Sequence, residues 1–183
     1  MGVDNLISKR VAWRRFAHWE ELDKSLRADV VYMNIAFITA SLSKANRAKV
    51  GAVIVKDGIV CSSGYNGTPR GTSNCCEYTG NDGHQHTLDL VIHAELNAIL
   101  NMVISNSGMT VKGSTIYITY SPCPKCAAMI KQVGISRVVF CLPYRDSSGI
   151  KFLLENGVDV DQIEYPVMTK FMQKLVDNEI QHK

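Results

Sequence analysis

Thr115-Ile-Tyr-Ile-Thr-Tyr-Ser-Pro-Cys-Pro-Lys-Cys-Ala-Ala-Met-Ile-Lys-Gln-Val-Gly-Ile-Ser-Arg-Val-Val-Phe-Cys141 reads as strand, helix, strand. Thr115 to Thr119 carries the β-branched and aromatic residues of a strand. Pro124 opens a helix running to about residue 133, at the first helical position where no N–H is required. Val138 to Cys141 is the next strand. Upstream, Val50 to Lys56 and Ile59 to Tyr65 flank Asp57-Gly58, a two-residue hairpin signal. Helices are expected over about 27–44, over 93–105 with Leu96, Ile99, Leu100 and Val103 on one stripe, and near 147–156. A short strand is expected near Ile163 and a terminal helix from Thr169. A hairpin followed by alternating strands and helices predicts an α/β chain, a three-layer α/β/α sandwich with a central mixed five-stranded sheet.

Two segments stand apart. Residues 9–26 place Val11, Phe16, Trp19, Leu22 and Leu26 at helical spacing among Arg10, Arg14, Arg15 and Lys24. This predicts an N-terminal helical extension over 1–27, packed on the 28–183 domain or on a neighbouring subunit. Residues 66–91 are dominated by Gly, Asn, Thr, Cys and His with little periodicity and read as a long loop or insertion. The chain has 183 residues, 46% of them apolar, enough for one domain whose core needs no metal to fold. A net charge of +3 is too small to point to a nucleic-acid partner. The first residues lack an apolar stretch of signal-peptide length, and Val30 to Ile38 is interrupted by Asn34 and too short to cross a bilayer. A soluble, cytoplasmic protein with no membrane partner is expected. For such a chain the six Cys point to metal binding or free thiols rather than disulfides.

Cys123 and Cys126, three apart at the start of a helix, place both sulfurs at one helix N-terminus, where the dipole and free N–H groups favour thiolates. His93 would open the other helix, so two helix N-termini can converge on one ion. Three protein ligands with a fourth position left for water is the pattern of a catalytic zinc. Glu95, two residues past the His, is placed to carry the proton. A redox Cys-x-x-Cys would normally follow the first strand of its domain, and it leaves His-x-Glu unexplained. A structural zinc would need a fourth Cys or His. The combination matches the H-x-E…P-C-x-x-C signature of zinc nucleobase deaminases. Cys75, Cys76, His84 and His86 cluster in the insertion, and Cys75, His84 and His86 are candidate ligands of a second, structural zinc. Reduced thiols and exposed His in a loop are the competing reading. Cys61 and Cys141 fall in strands and are expected in the core.

With His93-Ala-Glu-Leu-Asn-Ala-Ile99 and Ser121-Pro-Cys-Pro-Lys-Cys-Ala-Ala-Met-Ile130 in view, the chain resembles deoxycytidylate (dCMP) deaminases. Val50-Gly-Ala-Val-Ile-Val55 and Gly64-Tyr-Asn-Gly-Thr-Pro-Arg-Gly71 extend the resemblance, which runs from about residue 28 to 165. Asn74-Cys-Cys-Glu-Tyr78 is similar to the form in bacteriophage members, so the compartment would be the host cytoplasm if the source is viral. The resemblance implies conversion of dCMP to dUMP with release of ammonia, feeding thymidylate synthesis. It implies that water activated at Zn2+ attacks C4 while Glu95 protonates N3 and then the leaving amine. By the same analogy the backbone near Ala94, with Ala52 and Ser121, holds the base edges. Tyr144 stacks near the base, and Asn46 and Arg47 approach the sugar or phosphate. Tyr144 as a half-buried aromatic, and Arg47 and Arg145 as solvated charges, are the alternative readings.

The family further implies a homohexamer, activated by dCTP (with Mg2+ accompanying the nucleotide) and inhibited by dTTP through Tyr65, Asn66 and Gly67. Asn66-Gly67 is also a turn signal by itself. Asn101 and Ile104 stand where phage members carry Phe and Arg, and Ala45 stands where some use a Cys for a second zinc. Rival functions are deamination of dCTP or a 5-substituted dCMP, a single-stranded DNA deaminase, and a catalytically inactive nucleotide-binding module. The thinly spread +3 charge argues against the DNA enzyme, and Glu95 argues against the inactive module.

Overall fold

In the computed structural model, which describes residues 9–11, 24–105, 108 and 110–164, the predicted hairpin is β2 (Gly51–Lys56) and β3 (Ile59–Tyr65). Asp57 and Gly58 turn with φ of 50° and 76°, as a tight hairpin turn of the right twist requires. Along β2 the side chains alternate between two cores. Ala52 and Ile54 join one with Ile116, Ile118, Val138, Phe140 and Val160; Val53 and Val55 join the other with Val30, Met33, Tyr117 and Val139. That period of two makes both sheet faces apolar, so helices must cover both. α1 (Lys24–Ala40) covers one face; α2 (Ala94–Ile104), α3 (Pro124–Gln132) and α4 (Ser148–Glu155) supply the other core through Ala98, Ile130 and Leu153. The expected three layers are present.

β6 (Thr115–Tyr120) pairs antiparallel with β2 and parallel with β7 (Arg137–Leu142), which pairs parallel with β8 (Asp159–Ile163). The five expected strands therefore form the mixed sheet. A sixth, β1 (Lys9–Val11), pairs parallel with β8 in the register Lys9↔Asp161, giving the order β1-β8-β7-β6-β2-β3. Residues 9–11 thus correct the helix expected from residue 9. An exposed β8 edge offers unpaired backbone groups, and three residues suffice to satisfy them, a demand that side-chain spacing does not reveal. The rest of that segment up to residue 23, and the helix expected from Thr169, lie outside the described residues. The insertion is also more ordered than expected: β4 (Glu77–Thr79) and β5 (Gln85–Thr87) form a separate antiparallel pair, too short to display a period.

A buried ionic fork ties the layers together. Arg137 on β7 donates from Nη1 and Nη2 to the two carboxylate oxygens of Asp29 on α1, each at 2.7 Å. Its Nε donates to Asp161 Oδ2 on β8 at 2.7 Å, and the Tyr117 hydroxyl on β6 donates to Asp29 Oδ1 at 2.7 Å. Asp29 and Asp161 are 6% and 5% exposed. Removing the guanidinium leaves two buried carboxylates facing each other. Arg137→Met is therefore expected to lower unfolding free energy by roughly 3 kcal/mol, read from urea denaturation followed by circular dichroism. A loss below about 1 kcal/mol, the range of an exposed pair, would show that water screens the fork.

Candidate active site

The site begins where two helices begin. His93 is the N-cap of α2 (φ −69°, ψ 155°) and Cys123 the N-cap of α3 (φ −68°, ψ 164°). An N-cap side chain ordinarily accepts a hydrogen bond from its own helix; neither of these does so. They turn to each other instead. Cys123 Sγ lies 3.6 Å and Cys126 Sγ 3.3 Å from His93 Nδ1. The three donor atoms lie within 4.8 Å of one another, the one such cluster among the described residues. Zinc bonds of ~2.3 Å to sulfur and ~2.0 Å to nitrogen at a tetrahedral angle place S and N about 3.5 Å apart. The residues fit zinc. Gly149 on α4 keeps this corner closed: a Cβ there would run into the Pro122 carbonyl and come within 3.0 Å of the Cys123 carbonyl carbon.

The three groups shift one another's proton affinity unevenly. Hydrogen bonds from Cys126 and His93 bring the Cys123 thiol down to about 3. Cys126 is pushed up by its hydrogen bond to Cys123 and by burial, and His93 is raised chiefly by its hydrogen bond to Cys123. The Cys123 sulfur is thus favoured as a thiolate by its two neighbours. Glu95, on the first turn of α2, is only 4% exposed, and desolvation raises its carboxyl above the ordinary range. A carboxyl moved toward neutrality is suited to taking and returning protons.

His93, Ala94, Glu95 and Cys123 line a pocket of about 570 Å³. The β4–β5 hairpin lines it through Glu77, Tyr78, His86 and Thr87, and the β6–α3 and β7–α4 loops bring Ser121, Tyr144 and Arg145. The Ser121 hydroxyl accepts the Tyr144 backbone N–H at 2.8 Å, locking one loop to the other. Arg145 lies 5.6 Å from the Tyr144 ring centroid, and Arg47 Nη1 donates to Thr87 Oγ1 at 3.0 Å. Two guanidinium groups therefore stand around one pocket.

The structure places Arg47, Ala94, Ser121 and Tyr144 at the pocket wall, but not every residue assigned to substrate. Asn46 is exposed and does not line it; its backbone N–H is spent on Glu77. Ala52 is fully buried in β2, beneath the pocket rather than at its surface. Of the residues assigned to an effector nucleotide, Tyr65 and Gly67 lie off this pocket and Asn66 lines it. The Asn66 amide accepts from Val50 N at 2.8 Å and donates to the Ala48 carbonyl at 2.9 Å, so it braces the turn.

Cys75, His84 and His86 are not brought together as a second ligand set. Pairing of β4 with β5 puts His86 opposite Tyr78, whose ring it stacks on at 5.5 Å, and its Nε2 is bound to the Asp82 carboxylate at 2.9 Å. Cys75 directs its sulfur to the Glu77 carbonyl at 3.1 Å. Cys141 is core as expected, its thiol pushed up to about 12 by burial, whereas Cys61 is only half-buried. Sequence reasoning missed Glu77 as a wall residue; its only signal was its place in Asn74-Cys-Cys-Glu-Tyr78. Among the described residues no helix is long and apolar enough to cross a membrane.

Comparison with known proteins agrees with this geometry. The model of the cytidine and deoxycytidylate deaminase zinc-binding region matches residues 26–142. Deoxycytidylate deaminase of Enterobacteria phage T4 is 35% identical over 167 residues, covering 70% of this chain and 86% of the relative. That of Saccharomyces cerevisiae is 37% identical over 145 residues, 75% of this chain and 45% of the relative. The crystal structure of dCMP deaminase from the cyanophage S-TIM5 in complex with dCMP and dUMP superposes with a TM-score of 0.68. It is 38% identical, covering 78% of this chain and 99% of that one.

Proposed function

We propose that this chain, which belongs to the cytidine and deoxycytidylate deaminase family, hydrolyses dCMP to dUMP and ammonia and so supplies dUMP for thymidylate synthesis. The observation that carries the reading is the convergence of His93, Cys123 and Cys126 beside buried Glu95 at a pocket with two arginines. His93, Cys123 and Cys126 would hold zinc, which when bound supplies a strongly acidified water. Glu95 takes the proton that water loses, delivers it to N3 as oxygen adds at C4, and assists departure of the amine as ammonia. One water is consumed and the C4–N bond is exchanged for a C4–O bond. Ala94 and Ser121, which line the pocket, would meet the base edge, with Tyr144 beside it. Arg47 and Arg145 supply the positive charge a 5′-phosphate needs.

Ammonia release measured across cytidine, dCMP, dCTP and 5-methyl-dCMP is expected to be fastest with dCMP. Fastest turnover of free cytidine would overturn the nucleotide reading, and fastest turnover of dCTP or 5-methyl-dCMP would move the assignment to that nucleotide. The same reading extends to a homohexamer regulated by dCTP, with Mg2+, and by dTTP, in the cytoplasm of a host if the source is viral. Its support is the resemblance at Gly64 to Gly67. Against the regulatory part stand Asn66, engaged in its turn, and Asn101, whose amide donates to the Ser63 carbonyl at 2.9 Å.

A further inference from the structure

We infer that Glu77 reads the sugar: its carboxylate accepts the 3′-hydroxyl of the deoxynucleotide and repels a 3′-phosphate, restricting the site to free mononucleotides. This rests on the reading of the pocket as a nucleotide deaminase site. Glu77 is 6% exposed and stands on β4 at the pocket wall. Its Oε1 accepts the backbone N–H groups of Asn46 at 3.0 Å and Arg47 at 3.3 Å. Its Oε2 takes no hydrogen bond from the described residues. Nor is that oxygen sealed away: among the described residues the one buried side-chain polar atom without a partner is Asp161 Oδ1. Glu77 lines the pocket, and a carboxylate oxygen left without a protein partner there can accept from a donor on whatever fills it, since leaving it desolvated and unpaired is costly.

Position decides which donor. Glu77 lies opposite Thr87 in the hairpin register, and Thr87 holds the Arg47 guanidinium. It therefore stands beside the Arg47 part of the pocket wall, on a different element from the His93 cluster that fixes where C4 and its amine react. Between base and 5′-phosphate, a 2′-deoxynucleotide offers one hydroxyl, at 3′. A phosphodiester there, as in a DNA strand, would place like charges together and be disfavoured. The pocket thus separates a free nucleotide from a polynucleotide without touching the base.

The test compares three substrates, dCMP, 2′,3′-dideoxycytidine 5′-monophosphate and deoxycytidine 3′,5′-bisphosphate, by kcat and KM in the zinc-loaded protein, with calorimetric binding of dUMP and its dideoxy analogue as a readout free of turnover. The wild type is expected to lose about 10–100-fold in kcat/KM without the 3′-hydroxyl, mostly in KM, with a parallel loss in binding. Glu77→Gln keeps the Oε1 acceptor for Asn46 and Arg47 but removes the charge. It should narrow the gap between dCMP and the dideoxy compound and relieve at least about tenfold of the discrimination against the bisphosphate. Equal handling of dCMP and the dideoxy compound by the wild type would overturn the inference, as would a Glu77→Gln loss equal on all three, which marks a role only in holding the Asn46–Arg47 turn. Absence of turnover with every nucleotide would remove the deaminase reading and this inference with it, and shows in the wild-type arm alone.

Discussion

Glu95→Gln is expected to lower the rate of dCMP deamination about 10²–10⁴-fold, the usual worth of a positioned proton carrier, while zinc content stays that of the wild type. The substitution keeps the shape and most of the hydrogen bonding of a side chain that is only 4% exposed, so packing at the start of α2 survives. What it removes is the capacity to bind and release a proton. Among the described residues no carboxylate belongs to the ligand cluster, and the other acidic residues of the pocket wall are Glu77 and Asp89. Zinc counted by emission spectroscopy, with ammonia release on the same sample, separates a chemical defect from a metal-binding one. A wild-type rate in a zinc-loaded Glu95→Gln protein would show that the proton travels another way.

The second large effect concerns the metal. Cys126→Ala is expected to empty the site, with dCMP turnover reduced by roughly 10³-fold or more, since the metal's acidification of water is worth several kcal/mol. Cys126 is buried on the first turn of α3, 3.3 Å from His93 Nδ1, and no further His, Cys, Asp or Glu among the described residues joins the cluster, so alanine leaves two protein ligands. Loss of a ligand also removes the stabilisation that binding confers on the folded chain. The wild type should show a zinc-dependent rise in melting temperature that Cys126→Ala lacks. Cys126→Ala retaining one tightly held zinc per chain would mean that the ion sits elsewhere.

Much of this was legible in the sequence because the chemistry and the fold use the same residues. The strand, helix, strand reading of 115–141 fixes both the parallel part of the sheet and the position of Cys123 and Cys126 at a helix start. Pro124 marks that start in the sequence as clearly as in the structure. Asp57-Gly58 did the same for the hairpin. What failed to show in the sequence depends on backbone demands or on distant partners. Lys9–Val11 is a strand because β8 has an edge to fill, and nothing in its side chains announces that. His84, His86 and Cys75 look like ligands by spacing, yet antiparallel pairing and Asp82 engage His86 separately. Arg145 carries no motif, and Glu77 lies within Asn74-Cys-Cys-Glu-Tyr78, which gives it no role by itself. Each enters the pocket because a hairpin or a loop lines it together with His93 and Cys123, a juxtaposition of residues distant in sequence.

The central claim is that a single zinc, held by His93, Cys123 and Cys126, runs the deamination of dCMP. Titrating zinc into metal-stripped protein while following conversion of dCMP to dUMP tests it most directly. The account predicts no turnover without metal and a rate that saturates at one zinc per chain. Turnover in the stripped protein, or a rate that continues to climb to two zinc ions per chain, would contradict it.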